Sequence, residues 1–595
     1  MKWQRVKYQP NTPLGANGQK VTASKAHTEL SKQAAKEGMV LLKNENSLLP
    51  FEKGTRLAVF GKASADYVKG GGGSGDVTVS YTVSLDAGLR ALSDYVSVYE
   101  GLSSFYNKNV RDQYERGVAP GMTVEPEVPT ELLKKARAYT DTALITICRF
   151  SGEGWDRTSS YDNGVESGEP MWKESQKVFE RGDFYLSDAE QRMVETVKAA
   201  FPKVVVVLNV GGVVDSMWFA EDPKIQSVLM AWQGGIEGGA AAAELLCGIG
   251  SPSGKLADTF AKTLEDYPSS YNFHESQDYV DYTDDIYVGY RYFDTFDIPV
   301  RYCFGHGLSY TNFETNLMNI VYKAGSLDKA GEIRVTVEVR NVGERYAGKE
   351  VVQIYASCPQ NKIKKEFRRL VAFAKTKPLE PGECQKIELS ISLKGLSSYC
   401  EEKSAWIMEE GMYGIWIGNS LDHAKVEASI ELDKTVILEQ DRAICLRKEE
   451  LEEIFPNEDS LLKKEAKWKT ETAGKRRVAL RAEELDTTEI VYGIESDLLE
   501  KEALQMAEHL SVEQCVQMCT GAIRRGKDGT IGTAGITVPG AAAETSLVAV
   551  DEGIASITLA DGPAGLRLNK FYDVVNGERK IQDFIDSVED GLFRI

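Results

Sequence analysis

Apolar residues fall in two different rhythms along this chain. In the first half the runs are continuous: Arg56-Leu57-Ala58-Val59-Phe60-Gly61, Ala143-Leu144-Ile145-Thr146-Ile147-Cys148, Lys203-Val204-Val205-Val206-Val207-Leu208-Asn209 and Ser227-Val228-Leu229-Met230-Ala231-Trp232. A strand that is apolar at nearly every position is buried on both faces, which predicts a parallel sheet covered on both sides by helices. Helical segments alternate with these runs. Residues 22–37 read as a helix opened by Thr22 or Ser24, followed by a short apolar segment, Met39–Asn44. Ser187-Asp188-Ala189-Glu190 is a capping box that opens a helix running to about Ala200, and a Gly- and Ala-rich helix covers 235–247. The alternation predicts an α/β sandwich that ends near residue 310.

The rhythm then changes to period two. Ile333-Arg334-Val335-Thr336-Val337-Glu338-Val339 alternates, as do Val352 with Ile354 and Tyr413 with Ile415 and Ile417. Turn residues such as Asn341-Val342-Gly343 and Pro381-Gly382-Glu383 separate the strands. This predicts a half-exposed antiparallel sandwich of immunoglobulin or fibronectin size. Residues 436–487 are charge-dense and read as a helical or extended connector. From about 488 a new globular segment begins, with a helix opened by Ser511-Val512-Glu513-Gln514 and a strand at Ile554–Ala560 that ends on Asp561-Gly562-Pro563. The expected units are therefore 1–311, 312–435, 436–487 and 488–595.

Composition narrows the class. With 70 basic and 90 acidic residues the net charge is −20, which argues against nucleic acid as partner, because phosphate binding needs basic patches. No uncharged apolar run reaches a membrane span, and the start, Met1-Lys2-Trp3-Gln4-Arg5, lacks a signal core. Nine scattered cysteines fit a reducing compartment better than a disulfide framework, so a cytoplasmic location is expected. Cys148 and Cys247 sit in apolar segments and read as buried thiols. Cys515 and Cys519 lie four apart on a helix without a second Cys/His pair, so no metal site is expected.

The most informative local feature is Ser151-Gly152-Glu153-Gly154-Trp155-Asp156-Arg157, an acid between two glycines at the exit of a buried strand. Open α/β sheets keep their ligand sites at such exits. Glu153 is a candidate proton donor, Trp155 offers a flat face for a sugar ring, and Asp156 and Arg157 could hold the loop together. Gly70-Gly71-Gly72-Gly73-Ser74-Gly75 matches G-x-G-x-x-G literally, but about nine residues separate it from its strand and no helix start follows. It reads either as a flexible surface loop or as backbone that must approach a ligand closely. Asp561 is a second acid at a strand end, stiffened by Pro563, and Arg567 could hold it ionised. Tyr302–Tyr310 carries His306 in an aromatic and glycine setting that reads as packing at a domain junction.

Six ordered segments together resemble glycoside hydrolase family 3, in particular its bacterial β-glucosidases: Lys69–Asp76, Ser151–Arg157, Gly182–Ser187, Asp285–Phe296, Phe304–Thr311 and Asp561–Arg567. The resemblance implies the family's α/β sandwich at 1–311, a fibronectin type III-like domain at 312–435, and the start of its (β/α)8 barrel from about 488. The barrel comes last, as in rearranged members. It also implies a retaining mechanism using two carboxylates about 5 Å apart. Glu153 would be the general acid/base, Asp561 would grip sugar hydroxyls, and Arg567 would line the same pocket. Ser74 and its glycines, with Trp155, would complete the substrate side, and no cofactor or metal is implied.

The sequence departs from the family at one decisive point. The family nucleophile is an aspartate in a Ser-Asp-Trp setting, and no Ser-Asp-Trp occurs here. A barrel takes about 250 residues, whereas 108 residues run from 488 to 595. The expectation is a β-glucosidase-like chain that carries the acid/base, lacks the nucleophile and is inactive alone. The alternatives are a carbohydrate-binding or accessory subunit completed by a separate barrel chain, and a nucleotide-dependent enzyme resting on the glycine run. The expected partner is a small β-glucoside or oligosaccharide. Linkage, phosphorolysis and homo-oligomerisation stay open.

Overall fold

The computed structural model describes residues 24–72, 79–152, 157, 175–273, 276, 278–325, 331–444, 451–489, 498–522, 535–538, 540–560, 572–575 and 578–581. Its first layer is a six-stranded sheet of β1 (Val40–Asn44), β2 (Thr55–Phe60), β3 (Val96–Val98), β4 (Thr142–Cys148), β5 (Lys203–Asn209) and β6 (Ile225–Met230), in the order β1-β6-β5-β4-β2-β3. β2 to β6 are mutually parallel, while β1 runs antiparallel along β6. An antiparallel edge strand on an otherwise parallel sheet is common.

The continuous apolar runs do what their pattern requires. All seven residues of β4 are buried. Alternate side chains feed two cores: Ile145, Ile147, Val206 and Leu208 pack on one face, and Leu144, Val205, Val207 and Leu229 on the other. Each such side chain contributes about 1.5–3 kcal/mol on full burial. Helices α1 (Lys25–Gly38), α2 (Leu85–Ala91), α3 (Glu100–Tyr114), α4 (Thr130–Tyr139), α5 (Asp188–Ala200) and α6 (Gly238–Leu246) cover the sheet. Ser24 caps α1 through the His27 N–H. Ser187 and Glu190 form the reciprocal capping box of α5.

Two short strands, β7 (Phe260–Ala261) and β8 (Val300–Tyr302), lead to an antiparallel sandwich. One sheet holds β9 (Phe313–Lys323), β10 (Glu332–Asn341) and β13 (Cys384–Ser392); the other holds β11 (Val351–Ser357), β12 (Arg369–Lys375), β16 (Gly411–Gly418) and β17 (Lys425–Leu432). Val335, Val337 and Val339 of β10 face Ile354, Ile415 and Ile430 in a common core, as the period-two pattern predicts. The sandwich is pinned to the α/β layer by a bidentate Arg368–Asp294 pair at 2.6 and 2.9 Å and a Lys255–Glu350 pair at 2.9 Å.

The described residues of the expected connector, 436–444 and 451–487, include strands and a helix that fold onto this sandwich. β15 (Ala405–Met408) pairs with β14 (Ser398–Cys400) on one side and with β18 (Val436–Gln440) on the other, and β19 (Arg476–Leu480) joins β17 in parallel. Between them α7 (Glu458–Glu471) turns Leu461 and Trp468 inward and its lysines mostly outward. Trp468 is 1% exposed and lies on Gly414, where a Cβ would come within 2.9 Å of the indole. Charge density marked the outer face and concealed the inner one.

After β20 (Thr488–Glu489), which pairs with β18, come α8 (Leu498–Ala507) and α9 (Val512–Thr520), the latter opened by the Ser511–Gln514 capping box. The strand expected at 554–560 is reduced to Thr558–Leu559, paired with Ala543–Glu544. Ile557 and Leu559 remain half-exposed, so nothing covers this run as a core strand would be covered. No closed barrel occurs among the described residues, and no described helix is long and apolar enough to cross a membrane.

Candidate active site

Of the residues singled out from sequence, Glu153, Trp155, Ser74, Asp561 and Arg567 lie outside the described residues. Asp156 does too. The residues flanking two of these stretches are described, 72 and 79 around one and 152 and 157 around the other. β4 ends at Cys148 on the edge of the sheet where the parallel strands end, and Ser151 and Gly152 follow there. There Gly72, early in the glycine run, forms a parallel bridge with Gly152, its N–H donating to the Ser151 carbonyl at 3.1 Å. A Cβ on Gly152 would lie 2.2 Å from the Gly72 nitrogen, and one on Gly71 would lie 2.8 Å from the Ser151 oxygen. Close backbone approach is therefore one reason for these glycines, and the neighbour is the other loop.

Arginines at equal distance on either side of Glu153 are anchored on one segment. The Arg149 guanidinium is buried and forms two hydrogen bonds to Glu190, at 2.8 and 2.9 Å. It also donates to the carbonyls of Cys148, Asp183 and Tyr185, and stacks on Phe179 with its centre 4.5 Å from the ring. Arg157 reaches back to the Asp183 carboxylate at 3.0 and 3.2 Å and to the Val213 carbonyl. Burial drives the Asp183 carboxyl above its ordinary range even with Arg157 and Arg149 nearby. Burial also opposes ionisation of Glu190, but the charge and hydrogen bonds of Arg149 more than offset it and the carboxyl sits below its usual value. Of the pair expected to hold the loop together, Arg157 is tied to Asp183, while Asp156 lies outside the described residues.

A second buried network lies under the end of β2. Gly61 has φ +98, and a Cβ there would lie 2.2 Å from the Thr146 carbonyl oxygen, so the turn requires glycine. Lys62 is 2% exposed and donates from Nζ to the Gly121 carbonyl at 2.9 Å. Asp66 is fully buried and accepts from Gly121 N–H, Tyr114 and Thr123. Glu125 accepts the Lys62 N–H at 2.8 Å, and burial pushes its carboxyl up to about 8. Across the sheet Asn209 ties β5 to its neighbours, bonding both the N–H and the carbonyl of Val68 and the carbonyl of Trp232. Trp232 adopts φ 53, a strained value for a bulky residue.

Sequence reasoning missed Arg149, Asp183, Asn209 and the Lys62–Asp66–Glu125 group. The available signals were charged or amide residues at the ends of otherwise apolar strands. Glu190 was seen only as a helix cap. His306 is half-buried, bonds the Leu42 carbonyl at 3.1 Å and lies against Tyr302, which fits the packing role expected of it. Among the described residues no group of three His, Cys, Asp or Glu side chains is arranged to hold a metal.

The architecture is an α/β sandwich packed on a fibronectin-like antiparallel sandwich. Residues 39–310 match the glycosyl hydrolase family 3 C-terminal domain, and residues 350–421 match the fibronectin type III-like domain. It is 50% identical over 460 residues to β-glucosidase A of Butyrivibrio fibrisolvens, covering 74% of this chain and 55% of that protein. A β-glucosidase of Paenibacillus barengoltzii aligns structurally over 94% of this chain and 59% of its own, with TM-score 0.70 and 28% identity. β-Glucosidase 3B of Thermotoga neapolitana, solved in complex with glucose, aligns over 69% of this chain and 55% of its own, with TM-score 0.58 and 34% identity. The chain spans about half the length of the curated relatives it matches.

Proposed function

We propose that this chain carries the acid/base half of a retaining β-glucosidase centre that removes terminal β-D-glucosyl residues. The observation that carries the reading is the clamped loop: Arg149 and Arg157, on either side of Glu153, both anchored on Asp183–Glu190 at the strand-exit edge. Acid/base catalysis requires a carboxyl held within hydrogen-bond reach of the glycosidic oxygen, and a loop fixed at both ends supplies that restraint.

In the first step Glu153 donates its proton to the leaving oxygen while a carboxylate nucleophile attacks the anomeric carbon. In the second step Glu153, now ionised, takes a proton from the water that releases glucose. Asp561 accepts hydrogen bonds from sugar hydroxyls, Arg567 keeps it ionised, and Trp155 stacks on a pyranose face, with the Ser74 loop closing the sandwich side. The nucleophile belongs to a barrel strand bearing Ser-Asp-Trp, which these 595 residues do not include.

The test is turnover of an aryl β-glucoside by the purified 595-residue chain, alone and mixed with a polypeptide carrying the Ser-Asp-Trp barrel. We expect negligible turnover alone and turnover in the mixture that falls on Glu153→Gln. The fall should be least for substrates with the best leaving groups, which need no proton. Full turnover by the 595 residues alone would overturn the division of the two carboxylates. Absence of turnover in both settings would favour the carbohydrate-binding alternative.

A further inference from the structure

One cleft lies at the sheet edge opposite the exit of β4. Its volume is about 850 Å³, and it runs along the seam between the α/β layer and the sandwich. Leu49–Lys53 lead into β2 and Tyr95 leads into β3, so these wall residues stand where parallel strands begin. Ser151 and Gly152 stand where β4 ends. Seven strand residues at about 3.3 Å each put roughly 20 Å of sheet between the two edges. The cleft is therefore separate from the edge that Ser151 and Gly152 occupy.

Its lining has a distinct chemistry. Aromatic side chains come from both domains, Tyr95 on one wall and Tyr346 and Phe313 on the other. Each tyrosine carries a cation over its ring, Lys53 at 5.5 Å from Tyr95 and Arg345 at 5.1 Å from Tyr346. Uncharged polar groups intervene, among them exposed Ser47 and Asn312. Of the two lining acids, Glu350 is already held by Lys255 and Asn419, and Glu52 is balanced by neighbouring Lys53. In a chain of net charge −20 this cleft offers equal numbers of acids and bases and so little net field for an ion. Aromatic faces with amides and hydroxyls suit a neutral ligand that is apolar on its ring faces and hydroxylated at its edges. The volume falls within the range of small-ligand sites, which favour domain seams.

We propose that this seam is a second carbohydrate site, taking a neutral oligosaccharide across Tyr95 and Tyr346. It would hold glycan on the side of the molecule opposite the acid/base loop.

The test is calorimetric titration of the 595-residue chain with cellotetraose. Four proteins are compared: wild type, Tyr346→Ala, which removes a platform, Asn312→Trp, which fills the cleft from an exposed position, and Glu153→Gln. Saturable binding is expected in wild type and Glu153→Gln, weakened at least about tenfold in each cleft variant that keeps the wild-type unfolding profile. Wild type that shows no saturable binding overturns the proposal. So does binding lost in Glu153→Gln but unchanged in either cleft variant, which would place the glycan at the acid/base loop and leave the proposed function standing.

Discussion

Replacing Glu190 by alanine strips the clamp of its central charge. The Arg149 and Glu190 side chains are 4% and 2% exposed, so the pair is screened from solvent and the arginine left behind has no water to turn to. Removing one partner of a buried ion pair costs about 3–5 kcal/mol. Glu190 also accepts the Ser187 N–H at 3.0 Å in the α5 capping box, and losing a cap adds about 1 kcal/mol. Against a typical domain stability of about 5–15 kcal/mol, this brings the α/β layer close to its threshold. Because several domains unfold separately, the readout should be local: urea-dependent hydrogen exchange of the β4 and β5 amides. The Arg149→Met, Glu190→Leu double variant leaves no orphaned charge and should recover part of the loss. The Glu190 carboxyl lies below its ordinary value in the folded chain. Its contribution is therefore present above the unfolded value and lost as pH falls through the lower folded one, and the variant should lack that acid-side loss. A cost below about 1 kcal/mol, or no recovery in the double variant, would refute the argument.

Other perturbations report on other parts of the structure. Glu125, with its carboxyl raised to about 8 by burial, binds a proton in the folded state that the unfolded chain releases near 4.5. Stability should fall as pH rises between those values, and Glu125→Gln should flatten that slope in denaturation series. Gly152→Ala drives a Cβ into the Gly72 nitrogen; a loss of about 1–3 kcal/mol is expected by thermal unfolding, with the bridge between the two loops broken. Trp468→Ala empties a site 1% exposed against Gly414 and should cost the sandwich about 3–5 kcal/mol in urea unfolding, whereas a loose connector would lose nothing.

The sheet strands and the helix caps were legible in the sequence because both are local patterns. Continuous Val, Ile and Leu runs mark doubly covered strands, and Ser187 with Glu190 marks a helix start whatever lies around it. The direction of β1 was not legible, since it depends on pairing with β6, far along the chain. The carboxylate partners of Arg149 and Arg157 were equally hidden: they lie more than 25 positions away, and neither the capping box nor the Gly182–Ser187 motif pairs them with these arginines. The 436–487 segment misled because composition averages over its faces, while Trp468, Val478 and Leu480 decide its fate. The Glu153 loop was recognisable from its residue types. The clamp that holds its ends became visible only in three dimensions.

The parallel pairing of β19 with β17 bears on where this polypeptide can be divided. A cut at 435, where the sandwich pattern stops in sequence, would remove β19 and strip β17 of its outer neighbour. The resulting fragment would expose a row of unpaired N–H and C=O groups beside the vacated seat of Trp468. Such an edge recruits other chains, so that fragment would self-associate. A cut beyond β20 leaves both sheets with the neighbours they have in the intact chain.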